Sequence, residues 1–276
     1  MIMKKIYLIF LLALSTSFAF SAEVDTVEVF SKAMNKGIKT VTILPENYDK
    51  EPNFPVLYLL HGYGGNYADW IKRAPQLKDL ADRYSMIIVC PDGGVGSWYW
   101  DSEVDTSFQY ETFVAKELIE WVDNELKTRK NRESRGITGL SMGGHGALYL
   151  AMRHQDVFGA GGSMSGGVDI RPFPLRWDMA KRLGSYAENP NRWEKHTVIN
   201  QVHLLTPGSL ELLIDCGTED FFYGVNEDLH DKLLARNIPH SYIVRPGAHN
   251  WDYWEEAIHY QVLFMHRYFE KAMPAD

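Results

Sequence analysis

With two cysteines in 276 residues the chain can close at most one disulfide, so a packed core must hold it together. It has no His-Glu-x-x-His or comparable ligand cluster, which argues against a metal site and metal-assisted hydrolysis. No Gly-Lys-Ser/Thr completes a phosphate loop and no G-x-G-x-x-G is finished, so nucleotide binding has no anchor in the sequence. Basic residues are outnumbered 28 to 36, and a formal charge of −8 is the wrong sign for a nucleic-acid surface. Internal repeats and low-complexity tracts are also missing. What remains, 45% hydrophobic and 23% charged, suits one large α/β domain.

The first 22 residues stand apart. Lys4 and Lys5 make a basic start, Ile6 to Leu14 is an apolar stretch, and Ser15 to Ala22 is small and polar enough for cleavage after Ala19, Ser21 or Ala22. Ser15-Thr16-Ser17 breaks the run short of the ~20 apolar residues a membrane span needs. Residues 1–22 therefore read as a secretory signal peptide and 23–276 as a single catalytic domain. The leader has no cysteine, so a lipid anchor is not expected and the product belongs in the periplasm or outside the cell. Loss of Lys4 and Lys5 takes the formal charge from −8 to −10.

Gly139-Leu140-Ser141-Met142-Gly143, followed by Gly144-His145-Gly146-Ala147, fits a G-x-S-x-G nucleophile elbow. Ser134 to Thr138 before it reads as a strand and Ala147 to Met152 after it as a helix, the order such a turn requires. A serine needs a base, and the base needs a carboxylate to hold its tautomer. Two later strand candidates supply both: Glu211 to Cys216 runs into Gly217-Thr218-Glu219-Asp220, and Ser241 to Arg245 runs into Pro246-Gly247-Ala248-His249. Of ten histidines, only His249 follows a Gly-containing turn at a late strand end. Asp220 is preferred over Asp215, which falls inside the strand and reads as a brace, and over Glu219. Ser141, Asp220 and His249 are thus the expected triad. Phe54 to Leu60 empties into His61-Gly62-Tyr63-Gly64-Gly65, so the backbone N–H groups of Tyr63 and Met142 are the expected oxyanion donors.

With these motifs in order, the chain resembles the esterase D branch of the α/β-hydrolases over nearly all its length after the leader. The matching stretches are Leu59 to Gly65 with Trp70, Pro91 to Gly94 with Ser97-Trp98-Tyr99, Gly139 to Ala147, Gly217 to Asp220, and Gly247 to His249 with Trp254. The resemblance implies an α/β-hydrolase fold, a mostly parallel sheet flanked by helices, and acyl-enzyme chemistry without a cofactor. That branch includes S-formylglutathione hydrolases, feruloyl and acetyl-xylan esterases, tributyrin-type carboxylesterases, siderophore esterases and mycolyltransferases. In the strand order it implies, Cys90 and Cys216 lie on strands four and seven. Three strands at about 4.8 Å spacing then separate them, beyond the roughly 7 Å Cα limit for a bridge, so two buried thiols are expected.

A coarse pass gives an opening hairpin, Asp25 to Asn35 and Lys39 to Leu44, turning at Lys36-Gly37. Helices are expected over Gln76 to Tyr84 and Phe113 to Leu126, a small-residue strand over Phe158 to Ser165, and a last helix with Ile258, Val262, Met265 and Phe269 on one face. The segment from Gly166 to Gly208 has no strong period and reads as a small cap between strands six and seven. Trp98, Tyr99 and Trp100 follow the fourth strand and, with Trp177 in the cap, are the candidate substrate contacts. Export and aromatics together point to a small-molecule or oligosaccharide ester, feruloyl or acetyl. An acyltransferase, a generic short-chain carboxylesterase or a thioesterase of the same fold is the alternative.

Overall fold

The computed structural model describes residues 21–272, so all but the last two residues of the expected leader lie outside the described residues. Eight strands are present: β1 (Glu23–Ser31), β2 (Lys36–Leu44), β3 (Val56–Leu60), β4 (Ile87–Pro91), β5 (Arg135–Gly139), β6 (Ala160–Met164), β7 (Glu211–Gly217) and β8 (Ser241–Arg245). They form one sheet in the order β1-β2-β4-β3-β5-β6-β7-β8. β1 and β2 are antiparallel, β2 is antiparallel to β4, and every pair from β4 through β8 is parallel. This is the α/β-hydrolase architecture.

β3 and β4 are buried at all five positions, as parallel strands covered on both faces must be. Successive side chains point to opposite faces. Val56, Tyr58, Leu60, Ile87 and Val89 enter one core layer, while Leu57, Leu59, Ile88 and Cys90 enter the other.

The helices are α1 (Asp69–Arg73), α2 (Leu77–Tyr84), α3 (Tyr110–Thr112), α4 (Leu118–Glu125), α5 (Met142–Arg153), α6 (Met179–Leu183), α7 (Pro190–His196), α8 (Val198–Gln201), α9 (Tyr223–Ala235) and α10 (Trp251–Lys271). α1, α2 and α10 cover the Leu57 face; α4, α5, α9 and the cap helices α6 to α8 cover the other. In α10 the spacing Ile258, Val262, Met265, Phe269 makes the buried stripe, and each such side chain contributes about 1.5–3 kcal/mol on full burial. No helix among the described residues is long and apolar enough to cross a membrane.

Two expected elements differ. The hairpin turns at residues 32–35, because Asn35 takes the left-handed conformation (φ 50°); Lys36 and Gly37 already pair with Ser31 and Phe30. Asn tolerates that conformation through its short polar side chain, so no glycine is needed at the turn. The helix expected over 113–126 is interrupted by a π-helical stretch, Phe113–Glu117, between α3 and α4. At its end the Glu117 carboxylate accepts from Ser31 Oγ (2.6 Å) and the Ala33 N–H (2.9 Å), tying the stretch to the hairpin. Cys90 on β4 and Cys216 on β7 are buried free thiols with β3, β5 and β6 between them, and burial pushes both thiols well above their usual range.

Candidate active site

Topology brings the serine turn and the His-Gly loop together. β3 and β5 are parallel neighbours with Leu60 opposite Gly139, so the chain leaves both strands side by side at their carboxyl ends. The strand order reverses at this point, where open α/β sheets form their ligand crevice. Ser141 sits at φ 55°, ψ −116°, a conformation rarely adopted by a non-glycine residue, and its N–H donates to Met164 O (2.9 Å). Two neighbours permit that turn by having no side chain. A Cβ on Gly143 would lie 2.4 Å from Leu60 O and 2.6 Å from His61 O, and one on Gly139 would lie 2.6 Å from the Gly143 carbonyl.

Ser141 Oγ and His249 Nε2 are 2.8 Å apart, and His249 Nδ1 is 2.8 and 3.0 Å from the two Asp220 oxygens. A carboxylate only accepts, so Nδ1 carries the proton and Nε2 is left as the acceptor for the serine hydroxyl. Asp220 is buried, and its Oδ1 also accepts from the Phe222 N–H (2.8 Å). Backbone bonds fix the acid loop to the histidine loop: Thr218 N–H to Arg245 O and Glu219 N–H to Gly247 O, both 2.9 Å. Of the rival carboxylates, Glu219 faces solvent and Asp215 is buried on β7, bonded to the Tyr253 hydroxyl with Arg245 Nη2 at 3.5 Å. Asp215 is therefore a brace between β7, β8 and α10.

Tyr63 and Met142 flank the serine on the two neighbouring loops. Met142 opens α5, and neither its N–H nor that of Tyr63 has a hydrogen-bond partner among the described residues. His61 sets the loop: its Nδ1–H donates to Gly62 O (2.8 Å), its Nε2 accepts from the Gly93 N–H (2.7 Å), and its carbonyl accepts from Tyr99 Oη (3.0 Å). Such an arrangement offers a nucleophile with a base at hydrogen-bond distance and two free donors on either side.

A cleft of about 430 Å³ opens above Ser141, with Tyr63, Trp177, Phe221 and Trp251 in its walls beside His249. Trp177 thus lines the cleft above Ser141. Trp98, Tyr99 and Trp100 do not: at 1, 0 and 0% exposure they belong to the core. They pack against α5 through His145, whose Nε2 accepts from Trp100 Nε1 (2.9 Å) and whose Nδ1–H donates to Gly167 O (2.8 Å). Trp98 and Tyr99 both have positive φ, 56° and 60°, and this kinked backbone turns their rings inward, under the site.

Phe221 is a cleft residue that no sequence motif marks. It is 53% exposed, its ring centroid is 4.2 Å from that of His249, and it stacks on Trp177 at 5.7 Å. Its position directly after Asp220 is the available signal. Trp254 packs edge-on against His249 at 4.9 Å and donates to Ser165 Oγ (3.0 Å).

Burial holds the His145 pKa down, to about 3. The unfolded chain takes up a proton there below about 6.5, whereas the folded state does not, so the stability present above that pH is lost as pH falls from about 6.5 toward 3. His196 and His240 are shifted the same way by burial. Thermal unfolding followed from pH 7 to pH 4 is expected to move to lower temperature, with a shallower slope in His145→Gln.

The "Putative esterase" family model matches residues 31–265. An acetyl esterase of Caldicellulosiruptor saccharolyticus is similar at 28% identity over 253 residues, covering 84% of this chain and 94% of its own. The diacylglycerol acyltransferase/mycolyltransferase Ag85B of Mycobacterium leprae is 27% identical, covering 87% of this chain and 83% of its own. Among solved structures, a ferulic acid esterase superposes with a TM-score of 0.78 at 30% identity, covering 91% of this chain and 99% of that one.

Proposed function

Because the chain belongs to the "Putative esterase" family, we propose that this serine carboxylic-ester hydrolase works through Ser141, His249 and Asp220 on carbohydrate-linked feruloyl or acetyl esters. The observation that carries the reading is the chain of hydrogen bonds from the Asp220 carboxylate through His249 to a serine held on a strained turn. Ser141 Oγ attacks the ester carbonyl as His249 Nε2 takes its proton. The developing oxyanion is met by the N–H groups of Tyr63 and Met142, and Asp220 stabilises the imidazolium. Collapse expels the alcohol, which leaves with the proton from His249. Water, deprotonated by the same imidazole, then releases the acid and restores Ser141.

The basic, apolar and small-residue order of 1–22 supports export to the periplasm or beyond. An exported enzyme meets acylated polysaccharide fragments, and the stacked Trp177–Phe221 pair at the cleft offers aromatic surface for a feruloyl ring or a sugar. Activity on para-nitrophenyl acetate, methyl ferulate and acetylated xylan tests this. Trp177→Ala and Phe221→Ala are expected to lower kcat/KM for methyl ferulate several-fold relative to para-nitrophenyl acetate. Trp100→Ala should instead cost about 3–5 kcal/mol of stability and leave that ratio unchanged. Equal loss on both esters from Trp177→Ala and Phe221→Ala would remove the aromatic-acyl reading. The similarity to a mycolyltransferase keeps a second outcome in view, interception of the acyl-enzyme by a sugar hydroxyl; product analysis with an added acceptor alcohol distinguishes it from hydrolysis.

A further inference from the structure

A cleft of about 970 Å³, more than twice the volume of the one above Ser141 and sharing no lining residue with it, lies between α3 with its π-helical continuation, the end of α5, and α7–α8. Its size is in the range of ligand sites. Charges of both signs line it, and the acids have partners within the fold. Asp101 accepts from Thr112 N–H (2.9 Å) and Oγ1 (2.6 Å), Glu103 from Arg192 Nε (3.0 Å), Glu111 from Arg153 Nε and His154 Nε2 (both 2.8 Å), and Glu194 from Arg171 Nη1 (3.0 Å). Lys116 and Lys195 have no side-chain partner among the described residues. The lining charges nearly cancel, four carboxylates against Lys116, Arg153 and Lys195, so the cleft calls for neither a strongly anionic nor a strongly cationic ligand.

Two buried side chains narrow the choice. His196, 7% exposed, uses Nδ1–H to donate to Arg192 O (2.7 Å), and Gln201, 4% exposed, uses Nε2 to donate to Lys195 O (2.6 Å). Burial lowers the His196 pKa, so the ring is neutral and its Nε2 is an acceptor. His196 Nε2 and Gln201 Oε1 have no hydrogen-bond partner among the described residues, and both residues line the cleft. The cleft thus offers two acceptors open to it on otherwise buried side chains, and two lysines that call for acceptors, a pattern that suits an uncharged, well-hydrated molecule. Hydroxyl groups supply both roles at once.

We propose that this cleft is a second binding site, apart from the triad, for a neutral polyhydroxylated ligand of the oligosaccharide class. The inference stands on the cleft's own lining and does not require the ester reading.

The probes are unesterified xylotetraose and cellotetraose, titrated calorimetrically into the intact protein. Saturable binding of at least one, with Kd on the order of 1 mM or tighter, is expected, and it should persist after Ser141 is blocked with a fluorophosphonate. His196→Phe keeps an aromatic ring beside Tyr149 and removes the acceptor; it should weaken binding at least about fivefold. Lys116→Ala, on an exposed side chain, is expected to weaken binding about two- to fivefold with unchanged unfolding temperature and unchanged para-nitrophenyl acetate hydrolysis, and it carries the test if His196→Phe does not fold. Absence of saturable binding by both sugars, its loss on fluorophosphonate treatment, or undiminished binding in the folded variants would overturn the proposal. So would saturable binding of inorganic phosphate in place of the sugars. Hydrolysis of para-nitrophenyl acetate by the same samples reads the triad separately, so either reading can fail without the other.

Discussion

Ser141→Ala and His249→Ala are each expected to lower kcat by about 10⁴ to 10⁶ on para-nitrophenyl acetate, with KM changed far less. The size follows from the geometry: without His249 Nε2 at 2.8 Å the hydroxyl keeps its proton, and without Oγ there is nothing to acylate. Combining the two should cost little more than either alone, because they act as one unit. Asp220→Asn leaves a ring partner in place but no longer enforces Nδ1–H, so its loss should be smaller than that of Ser141→Ala. Asp215→Asn is the control. Its carboxylate is fully buried against Tyr253 and Arg245, so the change should lower unfolding temperature and leave kcat of the folded fraction nearly intact. A fluorophosphonate should label wild type at Ser141 and leave Ser141→Ala unlabelled. Full activity in Ser141→Ala, or a greater kcat loss in Asp215→Asn than in Asp220→Asn, would remove the assignment.

The parts of this arrangement that could be read from the sequence are those written in backbone periodicity. Buried parallel strands such as β3 and β7 are short apolar runs, and β5 and β8 are marked instead by the glycine-bearing turns that leave them, so all four could be located together with the polar residue each empties into. Ser141, Asp220 and His249 are such strand-end residues, and the structure draws them into one hydrogen-bonded chain although 108 and 29 positions separate the pairs. The direction in which an aromatic points is not written in this way. Trp98, Tyr99 and Trp100 stand at a strand's carboxyl end, as site residues do, yet positive φ at Trp98 and Tyr99 turns them under α5. Phe221 has no periodic context and stays outside because Asp220 beside it must point inward to His249. The wide cleft at Glu111 and His196 was equally illegible, since its walls come from α3, α5 and α7, whose contact is a tertiary fact.

His145 shows how the core and the site share residues. It follows Ser141 by one helical turn, donating its N–H to Ser141 O (3.0 Å), while its ring is fixed between Trp98, Trp100 and Gly167. The aromatic cluster is thus the support on which the serine turn rests. Substituting Trp100 reaches Ser141 through geometry and stability, whereas Trp98 also donates its Nε1–H to Trp177 O (3.0 Å) and so supports a wall of the cleft.

Gly143→Ala is expected to disrupt both stability and the serine turn. The new Cβ would meet Leu60 O at 2.4 Å and His61 O at 2.6 Å, and a real Cβ does not approach backbone this closely. Neither carbonyl can yield at low cost. Leu60 O accepts from Trp70 Nε1 (3.1 Å) and the Leu140 N–H (3.3 Å), and His61 O accepts from Tyr99 Oη (3.0 Å). The first turn of α5 must therefore move away from β3, and Ser141, held at φ 55° by its bond to Met164 O, moves with it. Overpacking of a fixed core costs about 1–3 kcal/mol, and parting these hydrogen bonds adds about 1 kcal/mol each, so a loss on the order of 4 kcal/mol is expected. Whatever fraction folds should show kcat reduced by at least about 10²-fold, because a displacement of about 1 Å between nucleophile and base is enough for that. Gly64→Ala is the companion: it replaces a glycine of the loop after β3, at φ 74°, but meets no atom within 4 Å. Its cost is confined to backbone strain of about 1–2 kcal/mol, and the Ser141–His249 distance is not pushed. Denaturation midpoints and fluorophosphonate labelling rates of the two variants decide the matter. Equal labelling rates in Gly143→Ala and wild type would mean that the close approach of α5 to β3 does not set the serine.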